Sequence, residues 1–230
     1  GMDLKTLYRL HWGARGNGPE VDKLIAEDFE PRRLKLQREA KEKGWLRPIA
    51  SYGYFPCQSD GQDLVVYDHT AFTPGSLAPR GKIEEVLRFT FPRQADREGL
   101  CLSDYFVPTD SSKFDVIAFQ VVTVGPGADE LGGALNKRGE YADALFIHGL
   151  AMAATEGLAE WHHRRIRAEL GLGEDRGKRY SFGYSACPDL GDQAKLFTLL
   201  KPDESIGVAL TSAFQLVPEA STSALVVHHP

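Results

Sequence analysis

The sequence predicts an α+β domain built on a mainly antiparallel sheet. Strand-like runs fall in blocks, at residues 49–57 with 64–67, 86–91, 114–124, and 208–217 with 224–227. Helical periodicity is concentrated in 19–44 and 128–171. The strands do not alternate regularly with helices, as a doubly wound parallel sheet would require.

In chain order, Asp3 to Trp12 places Leu4, Leu7, Tyr8 and Trp12 at helical spacing, with Asp3 as N-cap. Gly13, Gly16 and Gly18 make a connector, so residues 1–18 read as an N-terminal helix and linker ahead of a main body at 19–230, within one structural domain. Pro19 to Gly44 carries Val21, Leu24, Ile25, Phe29, Leu34 and Ala40 on one face. Pro31 inside it predicts either a kink or a second helix start, and Gly44 the stop. Asp60-Gly61 marks a hairpin between the first two strands. Residues 70–81 read as a Pro- and Gly-rich loop, and 100–107 stays open between strand and helix. Residues 114–124, rich in Val, Ile and Phe, form the strongest strand signal. The helical region 128–171 is expected to divide near Gly139, and a short helix is expected from Asp192 to Leu200. Residues 176–190 read as a loop.

Bulk numbers exclude several classes. The 230 residues are 42% hydrophobic and 26% charged, enough for a packed core. A net charge of -5 gives no bulk attraction for nucleic acid. No apolar run approaches the roughly 18 residues of a membrane span, and no secretory signal is visible. Gly1-Met2 reads as a cloning scar or start, which leaves room for natural chain upstream. Cys57, Cys101 and Cys187 are isolated in apolar contexts, pointing to reduced thiols and a cytoplasmic location.

The candidate chemistry centres on Arg179-Tyr180-Ser181-Phe182-Gly183-Tyr184-Ser185-Ala186-Cys187-Pro188. Small residues, aromatics and an arginine suit a loop whose backbone approaches a ligand, or equally a buried loop against a sheet. Arg179 can hold a carboxylate through its planar fork, or pair with nearby helix charges. Glu156 stands among Ala153, Ala154, Gly157 and Ala159, where it meets a cation or lies on the exposed helix edge. Glu156, Glu160 and His163 share a helix face and give half of a di-iron signature, with no second copy. No metal site is expected. Ser185 and Cys187 have no general base placed by sequence, so no catalytic residue is assigned, and His228-His229 reads as a solvated terminus. Gly-rich dinucleotide and phosphate loops and the nucleophile elbow are absent from the sequence.

The same loop resembles the Arg-x-x-x-Gly-Tyr-Pro-Ala-Cys-Pro segment of the activation domain of cobalamin-dependent methionine synthase, with Ser185 where the family has proline. The similarity extends to Tyr52–Gly61 with Asp63–Tyr67, to Leu102–Tyr105, to Asp115–Phe119, to the helix from Glu156 through Arg167, and to Ala213–Pro218 with His229-Pro230. The resemblance implies a single C-shaped α+β domain with a bent antiparallel sheet that binds S-adenosylmethionine. Carried over by position, the implied contacts are Asp3, Glu156, Arg179, Gly183, Ala186, Val226 and Val227, with Tyr184 facing the cobalamin. The spacing from Asp3 to Trp12 differs from the family's, and the pair at 226–227 is aliphatic where well-known members are aromatic. Gly183 and Ala186 would let backbone groups meet the adenosyl part. The implied function is to position the methyl donor for reductive methylation of cob(II)alamin. The alternative is a binding-only homologue acting as a sensor or assembly module. The chain lacks the Asp-x-His-x-x-Gly cobalamin signature, so cobalamin would come from another domain or chain. The implied partners are the cobalamin-binding domain of methionine synthase and flavodoxin or a similar electron donor, with no nucleic acid or membrane.

Overall fold

The computed structural model describes residues 1–95, 99–173 and 176–228. Its six-stranded sheet runs β3-β2-β1-β4-β8-β5, and every neighbouring pair is antiparallel. The strands are β1 (Ile49–Asp60), β2 (Asp63–Tyr67), β3 (Glu85–Thr90), β4 (Asp115–Thr123), β5 (Lys178–Ser181) and β8 (Ser221–Val227). A separate two-stranded hairpin pairs β6 (Ala209–Leu210) with β7 (Leu216–Val217). The first hairpin turns at Gly61-Gln62, with Gly61 at φ +64°, a conformation open to glycine.

Both sheet faces are covered. On one side Phe55, Leu64, Phe89, Phe119 and Leu225 pack with Phe182 and with Leu196 of α6 (Asp192–Leu200). On the other lies α5 (Tyr141–Glu169), whose Ile166 packs on Ala118 and Val226. α4 (Gly127–Lys137) precedes α5, and the break falls at Gly139 (φ +79°), as expected. A one-turn helix, α7 (Pro202–Ser205), follows α6.

The N-terminal segment belongs to the same body. α1 (Leu4–Thr6) runs into a π turn, Leu7–His11. Leu7, Tyr8 and Trp12 then bury against Phe29 and Leu150. Trp12 meets Phe29 and Phe146 edge-on, at 5.5 and 5.1 Å between ring centroids, and its indole N–H donates to the Phe146 carbonyl at 3.1 Å. Pro31 falls in the first turn of the next α-helix, one of the two outcomes expected for it. α2 (Pro19–Leu24) passes through a π turn, Ile25–Phe29, into α3 (Glu30–Lys43). The wider turn sits where proline removes a donor and crowds the carbonyl four residues back. Gly44 ends α3 in the left-handed conformation, donating to the Ala40 carbonyl.

Three expectations change and one open reading is settled. Residues 178–181, read as loop, form edge strand β5, because β8 supplies a partner that local sequence does not reveal. Residues 208–217, read as one strand, fold back as the β6–β7 hairpin. There Phe214 takes φ +59° and the Thr211 hydroxyl accepts from the Gln215 N–H. Residues 100–107 resolve into a single 3₁₀ turn, Leu102–Tyr105. His228, read as solvated, lies with its Nε2 2.7 Å from Asp115, only 19% exposed; His229 lies outside the described residues. Among the described residues no helix is long and apolar enough to cross a membrane.

Candidate functional site

Arg179 stands on β5 directly opposite Val226 of β8, so its side chain shares the sheet face that α5 covers. Glu156 comes down from α5 to meet it, Nη2 donating to Oε2 at 3.0 Å. The arginine side chain is 17% exposed and the glutamate 57%. The helix-charge pairing and the exposed-edge reading of Glu156 are therefore both realised in this one contact. It uses only part of the guanidinium. Nη1 is buried and has no hydrogen-bond partner among the described residues. A buried donor left unsatisfied costs about 1–3 kcal/mol, so an anionic acceptor brought to this fork would be strongly favoured.

The N-terminal segment supplies the facing wall. Asp3 caps α1, accepting from Lys5 N–H at 3.0 Å and Thr6 N–H at 3.1 Å, and from the Thr6 hydroxyl at 2.7 Å. The Thr6 hydrogen bonds hold its carboxyl below the ordinary range. The segment crosses α5 where α5 has no side chains to obstruct it. A Cβ on Gly149 would stand 2.7 Å from Trp12 Cδ1 and 2.9 Å from His11 Cβ, and one on Gly157 3.2 Å from Met2 Cα. Between Asp3 and Trp12 the chain passes through the π turn, which holds more residues per turn than an α turn. The result is a cavity of about 280 Å³ lined by Asp3, Thr6, His11, Glu156, Glu160 and Arg179.

Glu156 also lines a second, larger depression of about 600 Å³. Its walls include Ser181, Phe182, Tyr184 and Leu190 from the loop, Gln193 of α6, and Thr211, Gln215 and Leu216 of the hairpin. The loop is tied tightly. Gly183, at φ +88°, donates to the Cys187 carbonyl at 2.9 Å, and the Cys187 N–H returns to the Tyr184 carbonyl at 2.9 Å. The Cys187 thiol donates to the Ser181 carbonyl at 2.9 Å. A Cβ on Gly183 would approach Leu190 Cδ2 to 3.0 Å. Ser185 lies exposed at the tip, and the closure runs through backbone bonds that do not require proline there. Tyr184 projects outward, 71% exposed.

Asp3, Glu156 and Arg179, distant in sequence, thus meet in one cavity, and Tyr184 borders the depression beside it. Gly183 shapes the loop next to Tyr184. Three expected contacts fall elsewhere. Ala186 is 7% exposed and packs into the core beneath the sheet. Val226 and Val227 are fully buried, Val226 under α5 and Val227 in the opposite core, on a strand paired on both sides by β4 and β5. They support the strand that positions Arg179 and line neither cavity. His11, Thr6, Ser181 and Gln193 are the lining residues that sequence reading missed. Ser181 carries a readable signal, two positions after Arg179 and so on the same strand face.

Two further candidate groups are shaped by burial. His163 is buried with Nδ1 3.5 Å from Glu160 Oε2, and burial pushes its imidazole down. Burial pushes the Cys187 thiol up to about 12, which disfavours a nucleophilic role. No group of three or more His, Cys, Asp or Glu among the described residues is arranged to hold a metal ion.

Comparison with known proteins follows the same outline. A family model described as vitamin B12 dependent methionine synthase, activation domain, matches residues 26–230. Methionine synthase of Mycobacterium leprae (strain TN) is 38% identical over 257 residues, covering 100% of this chain and 20% of that protein. Methionine synthase of Mycobacterium tuberculosis (strain ATCC 25618 / H37Rv) is 36% identical, covering 100% of this chain and 21% of that protein. The chain therefore spans about a fifth of these curated relatives. A crystal structure of the MetH reactivation domain bound to AdoHcy matches with a TM-score of 0.85 at 23% identity, over 100% of this chain and 74% of that one, which establishes the shared fold. By sequence and by architecture, this chain belongs to the family of vitamin B12-dependent methionine synthase activation domains.

Proposed function

We propose that this domain binds S-adenosylmethionine and presents its methyl group to cobalamin carried by another domain of a longer methionine synthase, so that cob(II)alamin can be reductively methylated. The observation that carries the reading is the convergence of Asp3, Glu156 and Arg179 on one cavity, with one prong of the arginine fork unpartnered. The ligand's carboxylate matches Arg179, and its ammonium and sulfonium match the carboxylates of Asp3 and Glu156. The adenosyl part fits the adjoining depression, where Phe182, Leu190 and Leu216 supply apolar surface and Gln193 and Ser181 polar groups.

In this reading the chain's own work is binding and orientation. Arg179 anchors the amino-acid end, Glu156 joins the two cavities, and exposed Tyr184 faces the cobalamin-binding domain. Cobalamin would supply the redox-active, methyl-accepting cobalt. Flavodoxin or a similar donor would supply the electron. The three free, buried cysteines fit the reducing cytoplasm in which such a system would operate.

Calorimetric titration of S-adenosylmethionine into the 230-residue chain tests the site. One-to-one binding is expected, weakened in Arg179→Ala by about 1.5–3 kcal/mol, the range for hydrogen bonds to charged groups. No saturable binding at millimolar ligand, or equal affinity in the variant, would refute the assignment. A binding-competent protein that fails to support reactivation of a cobalamin-carrying partner would instead identify a binding-only homologue.

A further inference from the structure

We propose that His11 is a ligand-binding residue of this site, its imidazole accepting a hydrogen bond from the ammonium group at the amino-acid end of the ligand. The inference rests on the reading that the cavity takes S-adenosylmethionine. It deepens that reading by adding a contact to Asp3, Glu156 and Arg179.

Three observations carry it. His11 lines the same cavity as those three residues. It is the last residue of the π turn, an irregularity that recurs at functional sites, and the turn seats its Cβ against α5 at Gly149. Its imidazole makes no side-chain hydrogen bond among the described residues, although Asp3, Thr6 and the Trp12 indole all have partners there. A carboxylate bound to Arg179 carries its ammonium on the adjacent carbon, within a few ångströms, in the cavity that His11, Asp3 and Glu156 also line.

The charge setting suits an acceptor. His11 faces Asp3 across its own helix, His148, Glu156 and Glu160 on α5, and Arg179 on β5. Burial and the neighbouring His148 hold the imidazole below its ordinary range despite the attraction of Glu156. At neutral pH the ring is uncharged and one nitrogen has a lone pair to offer.

Two variants separate contact from packing. His11→Phe fills the space but offers no acceptor, whereas His11→Gln offers an amide oxygen. Titration of S-adenosylmethionine should show His11→Phe weaker by about three- to tenfold, the worth of one modest hydrogen bond, with His11→Gln closer to wild type. Thermal midpoints of both should match wild type. Wild-type affinity in His11→Phe would overturn the proposal. So would weaker binding accompanied by a lowered midpoint, since that is a packing effect. If Arg179→Ala weakens binding while His11→Phe does not, the site stands and His11 alone is wrong. If wild-type protein binds no ligand, the site reading and the assignment of His11 fall together.

Discussion

Replacing Gly149 by alanine tests whether the N-terminal segment is built into the site. In an ordinary helix interior this change is favourable by about 0.8–1.0 kcal/mol, because glycine pays more backbone entropy. At Gly149 the new Cβ would lie 2.7 Å from Trp12 Cδ1, 2.8 Å from Trp12 Nε1 and 2.9 Å from His11 Cβ. The indole cannot easily give way. It is 5% exposed, wedged edge-on between Phe29 and Phe146, and hydrogen-bonded to the Phe146 carbonyl. Forcing a methyl into a filled core costs about 1–3 kcal/mol. Gly133 on α4 supplies the control, since nothing lies within 4 Å of its added Cβ.

Urea denaturation followed by tryptophan fluorescence gives the comparison. Gly133→Ala should be more stable than wild type by about 0.5–1 kcal/mol. Gly149→Ala should fall below that control by about 1–3 kcal/mol. Its affinity for S-adenosylmethionine should also drop, because Asp3 and His11 ride on the displaced segment. A Gly149→Ala protein as stable as Gly133→Ala would refute the reasoning. It would mean that the segment does not rest on α5 as described.

Two further outcomes follow from buried groups. Burial lowers the folded-state pKa of His162 and His163, so their contribution to stability is fully present above the ordinary imidazole value near 6.5 and is lost as pH falls from there toward the lowered values. Thermal midpoints should drop between pH 7.5 and 5.5, and a flat profile would remove both histidines from the account. The Cys187 thiol, pushed up to about 12 by burial, and the Cys57 thiol, likewise raised by complete burial, should resist alkylation in the native protein at pH 8 while reacting promptly in urea. Rapid native labelling at Cys187, read by peptide mass, would show that the loop opens.

Elements with a strong local signal were legible in the sequence. The strand read at 114–124 is β4 at Asp115–Thr123, and the helix read at Asp192–Leu200 stands as α6. β5 was not legible, because Lys178-Arg179-Tyr180-Ser181 is short and glycine-flanked and becomes a strand only against β8. The hairpin at 208–217 was hidden because the apolar run does not show that Thr211 caps a turn and that Phe214 adopts a left-handed backbone. Arg179 and Glu156, singled out by residue type and family resemblance, stand 3.0 Å apart, a pairing that their separation in sequence does not show. Val226 and Val227, expected as contacts from the resemblance alone, lie buried on the two faces of a strand paired on both edges, a placement that residue type does not reveal. His11 was missed because a π turn rotates the residues after it away from the positions α-helical counting assigns.

The way α5 is built bears on how the site works. Gly149 and Gly157 together cost this helix roughly 2 kcal/mol relative to alanine. In return, the N-terminal segment lies directly on the helix and buries Leu7, Tyr8 and Trp12. A tryptophan alone removes about 150–250 Å² from water, worth roughly 4–6 kcal/mol at 25 cal/mol per Å². The segment therefore docks without help from a ligand, and Asp3, His11, Glu156 and Arg179 stand assembled beforehand. Ordering costs that would otherwise be subtracted from binding are met by folding. The same economy explains why the Arg179 fork is held by Glu156 through one nitrogen only. One contact fixes the guanidinium's direction, and Nη1 stays buried without a hydrogen-bond partner among the described residues.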